Sequence, residues 1–360
     1  MVNPGTTKTS LKERCKVDLG YPYHLNDSPA DHLAALQQAY QHGAGPKPEI
    51  LEEKIAAMFG KPAAMWCATG TLAQGIAARI YAERSGKKQV IFHETSHLLL
   101  HEEDGYSAAH GLTAKTVGEW RKTMSPDLLD TDACCAFVEM PQRHSGGLLP
   151  SWDDLCALKA HASKLDLPLH MDGARIWSSR PHYDGRSYAE IVDGFSSIYV
   201  SFYKDIGAIV GAALIGEKDF IEEAKVWRTR LGGSLVDASY LIADTLRLLD
   251  KRLEQMPGFI QAAKEMASSI EHIENIEVSP NPPQVNMFHV LLPCNSSAAE
   301  RARDIVAEKT GIWIANRFWN YEGDNQCAME ITVGEKAAAL SRETFAEAVQ
   351  MLAAEIPNPQ

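Results

Sequence analysis

The sequence predicts an α/β protein: a mostly parallel sheet flanked by helices, followed by a smaller C-terminal α/β domain. Two observations predict it. Up to about residue 255, short apolar runs alternate with segments of helical periodicity. Strands separated by helices need crossover connections, and crossovers leave the strands parallel and buried on both faces. Past Pro257-Gly258 the pattern changes, with Pro280, Pro282 and Pro283 ahead of a second set of strand-like runs. The division expected is an N-terminal segment 1–30 packing with the small domain, a large domain 31–255 and a small domain 256–360. At 360 residues the chain is long enough for two cores.

The elements follow in order. The apolar run 63–67 reads as a strand and 71–83 as an amphipathic helix. Residues 89–92 form a short strand, 134–139 another, and 151–165 a helix. The runs 167–171, 197–201 and 211–215 are further strands. A long helix over 237–253 is expected to break at Pro257-Gly258, because proline lacks the N–H that the preceding turn needs. Beyond it come a helix at 260–273, strands at 285–292, 312–316 and 328–333, and helices at 298–309 and 336–354.

Composition excludes several classes. A formal charge of −12, with no basic stripe, speaks against nucleic-acid binding and against a polybasic membrane surface. No apolar run approaches the ~18–20 residues that span a bilayer. Residues 1–12 are polar, unlike a secretory signal. The seven cysteines are odd in number, include the adjacent Cys134-Cys135, and form no Cys-x-x-Cys pair. They read as reduced buried thiols of a cytoplasmic protein, with no structural metal.

The chemistry concentrates in two segments. His170-Met171-Asp172-Gly173-Ala174-Arg175 is followed, 32 positions after Asp172, by Ser201-Phe202-Tyr203-Lys204. Asp172 ends an apolar run, at the carboxyl end of a strand, where open parallel sheets bind ligands. A turn aspartate before Gly173 would carry the same letters. Lys204 follows another strand, although most lysines are simply solvated. Ala68-Thr69-Gly70-Thr71 lies between a strand and a helix, where free N–H groups and the helix dipole make a phosphate site. A plain helix start capped by Thr69 or Thr71 is the alternative. Together these are the parts a pyridoxal-phosphate enzyme needs. The lysine forms a Schiff base with the cofactor aldehyde, and the carboxylate keeps the pyridine nitrogen protonated.

Two other motifs compete. Ser201-x-x-Lys204 matches a pattern of acyl-transfer enzymes, but these need the serine at a helix start and further Ser/Lys motifs that are absent. His93-Glu94-Thr95-Ser96-His97 matches the His-Glu-x-x-His pattern of zinc hydrolases, with His101 extending the spacing. That pattern works on a helix, whereas here it follows the strand 89–92 directly.

The order of phosphate turn, strand-end aspartate and strand-end lysine resembles the threonine aldolase and β-eliminating lyase family of pyridoxal-phosphate enzymes, which has the aspartate aminotransferase fold (fold type I). The resemblance covers roughly residues 50–233 and is weaker beyond. It implies Lys204 as the Schiff-base lysine and Asp172 as partner of the pyridine nitrogen. It implies Arg175 near the cofactor 3-hydroxyl or the substrate carboxylate, and Gly70 and Thr71 at the phosphate. His97, five before Glu102, matches the histidine stacked on the pyridine ring. His144 matches a histidine near the substrate β-hydroxyl. Arg228, Arg230, Gly232 and Gly233 resemble a stretch that reaches the phosphate of a neighbouring subunit, Arg230 being the phosphate ligand.

The chain also departs from the family pattern. In Met329-Glu330-Ile331-Thr332-Val333-Gly334, Glu330 stands where the resemblance places an arginine for the substrate carboxylate. Arg317 is the substitute, or Glu330 holds an arginine in place. Val17-Asp18-Leu19-Gly20-Tyr21 matches the family's N-terminal signature only loosely, and Val236 replaces a common arginine. Extra residues in Glu139-Met140-Pro141-Gln142-Arg143-His144 make Arg143 the competitor for the role of His144.

The function expected is a carbon–carbon lyase with pyridoxal 5′-phosphate, cleaving a threonine-like β-hydroxy-α-amino acid to glycine and an aldehyde. The alternatives are β-elimination, transamination or racemisation with the same cofactor, a zinc hydrolase on His93 and His97, and a cofactor-binding protein without aldolase activity. The partners expected are a small amino-acid substrate and further copies of the chain, in a homodimer or homotetramer with the active site at the interface.

Overall fold

The structure is a computed structural model that describes residues 10–20, 29–39, 45–321 and 325–356. Residues 1–9 and Tyr21, which entered the reading of the N-terminal segment, lie outside these. The chain divides into two compact units, one of 27–257 and one of 1–26 with 258–360.

The first strand, β1 (Val17–Asp18), belongs to the smaller unit. The larger unit is built on β2 (Ala63–Cys67), β3 (Gln89–His93), β4 (Thr113–Val117), β5 (Cys135–Glu139), β6 (Leu169–Gly173), β7 (Ser197–Ser201) and β8 (Ala212–Gly216). They form one seven-stranded sheet in the order β2-β8-β7-β6-β5-β3-β4. Every pairing from β4 to β7 is parallel, and β8 runs antiparallel to both neighbours. Strands β5 to β8 are buried at every position, which is why they read as continuous apolar runs rather than alternating ones. β4 escapes that reading. Its sequence Thr-Ala-Lys-Thr-Val is partly exposed throughout, as suits a sheet edge.

The helix Gly70–Ser85 packs on this sheet. Thr69 caps it by accepting the Leu72 N–H at 3.2 Å, and Gly86 ends it in the left-handed conformation at φ 72°. Ala73, Ile76, Ala77 and Ile80 are fully buried and share a cluster with Phe92, Phe137 and Leu214 of the strands. Each such large apolar side chain contributes about 1.5–3 kcal/mol of transfer free energy.

The expected break at Pro257-Gly258 does not occur: one helix runs Ser239–Ile270 straight through Pro257, replacing the separate helix expected at 260–273. A mid-helix proline costs about 3 kcal/mol. Here Met256, Phe259, Ile260, Ala263 and Met266 are all buried on the two sides of it, and that burial outweighs the lost hydrogen bond. The helices Pro48–Met58 and Lys218–Arg230 add two elements that periodicity alone did not resolve.

The smaller unit holds β9 (Glu277–Ser279), β10 (Met287–Leu292), β11 (Ile312–Trp313), β12 (Phe318–Tyr321) and β13 (Gln326–Thr332). Four of them form an antiparallel sheet in the order β12-β13-β10-β9, and β11 pairs in parallel with β1. The strand expected at 312–316 is thus only two residues long. The helix expected at 336–354 is two, Glu335–Ala339 and Arg342–Glu355, because Ser341 caps the second by accepting the Thr344 N–H at 3.1 Å.

Candidate active site

The larger sheet brings one row of polar side chains to the carboxyl ends of its parallel strands. Glu139 of β5 is in register with Asp172 of β6, and Asp172 with Tyr199 of β7. Register partners share a face, so the three side chains stand side by side. Asp172 is buried and accepts the Ala174 N–H at 3.1 Å. The loop after it is pinned to the end of β7: the Ser201 hydroxyl donates to the Ala174 carbonyl at 2.8 Å, and the Trp177 indole donates to the Ser201 carbonyl at 2.8 Å. Arg175, in this pinned loop, is buried as well.

Lys204 lies just past β7, with Nζ 5.9 Å from the centre of the Tyr199 ring and 5.5 Å from that of Tyr203. The Tyr199 and Tyr203 hydroxyls are 3.4 Å apart. The phosphate turn touches the row at Tyr199. A Cβ at Gly70 would lie 2.1 Å from the Tyr199 hydroxyl, so only glycine brings the helix start this close. Thr71, next to it, is exposed.

Enclosure by protein shifts the titrating groups of the row. Burial, then the Arg175 charge, pushes Lys204 down to about 7, against the pull of Asp172 and Glu139. Glu139 moves the other way: burial, then the Asp172 charge, pushes it up to about 8. Behind the row, burial pushes His170 down to about 3, and its Nδ1 meets the Ser197 hydroxyl at 2.7 Å.

A second cluster gathers three histidines. His97 opens the short helix His97–Leu100, and its Nδ1 lies 3.0 Å from Glu102 Oε1. The His97 and His101 rings are 5.1 Å apart, and those of His101 and His144 stack at 4.8 Å. His101 Nε2 and His144 Nε2 are 2.6 Å apart. The backbone carbonyl of His144 accepts the Trp120 indole N–H at 2.7 Å. His93 is not part of this group. It ends β3, is buried, and bonds Thr95 Oγ1 through Nδ1 at 2.8 Å. No helix carries both histidines of the His-Glu-x-x-His pattern, which removes the arrangement that a zinc hydrolase requires. Among the described residues, no group of three His, Cys, Asp or Glu side chains could hold a metal ion.

Other expected residues lie elsewhere. Arg317 and Glu330 belong to the smaller unit. There the Glu330 N–H donates to the Arg317 carbonyl at 3.2 Å, and the Arg317 Nη1 stands 4.0 Å from Glu330 Oε1. Arg230 ends the helix Lys218–Arg230 with its guanidinium 4.7 Å above the Trp227 ring. Gly233 abuts the first turn of Gly70–Ser85, since a Cβ there would lie 2.4 Å from Leu72 Cδ2. A cavity of about 540 Å³ lined by Arg121, Lys122, Leu149 and Asp154 contains none of the row. All seven cysteines are free; five are buried, while Cys15 is half-buried and Cys156 exposed, contrary to the expectation of burial.

Sequence reasoning missed Glu139, Tyr199 and Tyr203 as members of the row. Glu139 carries the same signal as Asp172, a carboxylate closing an apolar strand. The tyrosines carry none, because only the pairing of β6 with β7 brings them to the turn at Gly70.

The chain matches the beta-eliminating lyase family over residues 30–292. It is 27% identical over 286 residues to the low-specificity L-threonine aldolase 1 of Arabidopsis thaliana, covering 74% of this chain and 78% of that one. A crystal structure from Listeria monocytogenes, provisionally named an L-allo-threonine aldolase, superposes with a TM-score of 0.85 at 31% identity, covering 96% and 99% of the two chains. A serine palmitoyltransferase solved with pyridoxal phosphate shares the fold at a TM-score of 0.68 and 16% identity.

The residues of the row fit pyridoxal 5′-phosphate, the cofactor of this enzyme class. A lysine amine near 7 suits carbonyl addition, and a buried carboxylate suits a protonated ring nitrogen. The N-terminus of a 16-residue helix suits a phosphate. The buried Glu139 Oε2 has no hydrogen-bond partner among the described residues, which fits a polar ligand. The chain is a pyridoxal-phosphate-dependent lyase and belongs to the beta-eliminating lyase family.

Proposed function

We propose that this protein is an aldolase that cleaves a threonine-like β-hydroxy-α-amino acid to glycine and an aldehyde. The observation that carries the reading is geometric: Lys204 Nζ stands 5.9 Å from the Tyr199 ring, and Tyr199 is in register with Asp172 and abuts the Gly70 turn. The names of the Arabidopsis and Listeria relatives supply the substrate class.

When bound, pyridoxal phosphate supplies an aldehyde that condenses with amines and a ring that accepts the electrons left at Cα. Lys204 holds that aldehyde through its amine, which is largely unprotonated from about pH 7 upward and so nucleophilic. Asp172 pairs with the ring nitrogen in a charge-assisted hydrogen bond worth roughly 1.5–3 kcal/mol. Arg175 would meet the ring's 3-hydroxyl or the substrate carboxylate. Gly70 and Thr71 would receive the phosphate at the positive end of the helix. His97 would cover the ring face. His144 takes the proton of the β-hydroxyl. Of two imidazole nitrogens 2.6 Å apart, one must donate and the other accept, so His101 fixes which nitrogen of His144 carries its proton. General base work of this kind contributes ~10²–10⁴-fold. Arg317 binds the substrate carboxylate, with Glu330 orienting its guanidinium.

The same reading assigns 31–255 as the cofactor domain, 256–360 as the small domain, and the cytoplasm as the compartment. Among the described residues no helix is long and apolar enough to cross a membrane. It also assigns a homodimer or homotetramer with the active site at the interface. Support comes from Leu231, Leu235, Val236 and Tyr240, apolar side chains exposed in a single stretch just past Arg230. Arg230 would then reach the phosphate of the adjacent subunit.

The test incubates cofactor-loaded protein with a panel of β-hydroxy-α-amino acids and measures aldehyde and glycine. Stoichiometric release of both is expected. Release of ammonia and a keto acid without aldehyde would overturn the assignment in favour of elimination.

A further inference from the structure

The proposed reaction leaves one carboxyl group of the row without a task. Glu139 closes β5 in register with Asp172, and its side chain is 8% exposed. Its Oε1 accepts the Arg143 N–H at 3.0 Å. Its Oε2 is fully buried and has no hydrogen-bond partner among the described residues. Buried polar atoms in native folds nearly always have partners, so an open one in a ligand site points at the ligand.

The protonation state decides what Oε2 offers. A carboxyl group buried beside another is disfavoured as a second anion. Burial and the Asp172 charge favour the acid form of Glu139; Arg143, through its N–H, and the charges of Arg175 and Lys204 oppose it. The acid form prevails up to about pH 8. An acid with Oε1 already accepting presents Oε2–H as a donor. No acceptor among the described residues meets it, which leaves the ligand to supply one.

We propose that Glu139 is a second carboxyl ligand of the cofactor, a neutral acid that donates from Oε2 to an acceptor oxygen of the pyridoxal ring while Asp172 accepts from the ring nitrogen. The row then holds two carboxyl groups in opposite roles, one as acceptor and one as donor. This proposal rests on the pyridoxal reading above.

The test titrates cofactor-free protein with pyridoxal phosphate between pH 6 and 9.5, following binding by absorbance, for wild type, Glu139→Gln and Glu139→Ala. The amide of Glu139→Gln is neutral and still donates, so its affinity at pH 7 should stay within about threefold of wild type. Glu139→Ala loses the donor and should bind about tenfold more weakly, the scale of one net hydrogen bond. The visible absorption maximum of the bound cofactor should move in Glu139→Ala and return in Glu139→Gln. Relative to Glu139→Gln, wild type should lose affinity above about pH 8, where its own acid ionises against the acceptor. Glu139 also pulls on the Lys204 amine, so the Lys204 titration is measured separately in each protein and removed before the two profiles are compared.

Wild-type affinity and spectrum in Glu139→Ala would overturn the proposal. So would identical pH profiles for wild type and Glu139→Gln, a comparison that stands even if Glu139→Ala does not fold. A wild-type protein that takes up no cofactor, with no borohydride-fixed label on Lys204, would instead remove the pyridoxal reading and this proposal with it.

Discussion

Replacing Lys204 with methionine should stabilise the cofactor-free protein at pH 6 and lose that advantage near pH 10. The pocket pushes the lysine from its usual 10.5 to about 7. Each pH unit of displacement corresponds to about 1.4 kcal/mol, so holding the charged amine there costs up to about 5 kcal/mol. Because the side chain is partly exposed, screening by water lowers this to roughly 2–3 kcal/mol. Below pH 7 the amine is charged in both the folded and the unfolded chain, and the fold carries the whole penalty. Between 7 and 10.5 the unfolded chain keeps a proton that the folded chain has released, so wild-type stability rises with pH across that window. Methionine has a similar reach and does not titrate, so the variant lacks this rise. Urea unfolding without cofactor at pH 6 and pH 10, read from the slope and midpoint of the transition, measures both values. The variant should lead by roughly 2 kcal/mol at pH 6 and by under about 1 kcal/mol at pH 10. A variant less stable than wild type at pH 6, or a difference that does not change with pH, would refute the claim that this pocket disfavours the charged amine. The same variant should show no turnover and no borohydride-fixed label.

Three further outcomes are expected. Asp172→Asn keeps the shape of the row and removes its charge; pyridoxal phosphate affinity, followed by absorbance, should fall roughly 10- to 150-fold, matching the loss of one charge-assisted hydrogen bond. Gly70→Ala drives a Cβ to within 2.1 Å of the Tyr199 hydroxyl. It should cost about 1–3 kcal/mol in thermal unfolding, and adding Tyr199→Phe, which removes the clashing oxygen, should restore part of that. His101→Phe keeps a ring beside His144 but removes the Nε2 partner. kcat should drop about 10- to 100-fold with the spectrum of the bound cofactor unchanged, whereas an equal loss of cofactor affinity would make the pair structural.

The sheet of the larger unit was legible because burial on both faces writes itself as unbroken apolar letters, as in Ile198-Tyr199-Val200 of β7. The strand-end position of Asp172 was legible for the same reason: it interrupts such a run at the carboxyl end of β6. β4 was not legible, since an edge strand is free to carry Thr113, Lys115 and Thr116. Nor was the helix through Pro257, whose cost is local and whose compensation is the burial of residues such as Met256 and Ile260, which the sequence pattern does not display. His101 entered the reading only as a metal-spacing candidate, and its contact with His144 crosses 43 positions of sequence.

The displacements of Lys204 and Glu139 share one origin and run in opposite directions. Burial favours whichever form is uncharged, the free amine for one and the acid for the other. Between about pH 7 and 8 both are largely neutral, so the row is left with the Asp172 and Arg175 charges and gains a nucleophile and a donor. Neither neutral group helps the empty fold. Glu139, whose folded value exceeds the usual 4.5, lowers stability progressively as pH rises from about 4.5 to 8, while Lys204 lowers it most below 7. The two penalties overlap near neutrality, where the empty site is least comfortable and a ligand with an acceptor and an aldehyde relieves both. Stability sacrificed in this way is a signature of a site shaped for its ligand rather than for the fold. It follows that cofactor should raise the melting temperature of this protein most near pH 7–8, and less on either side.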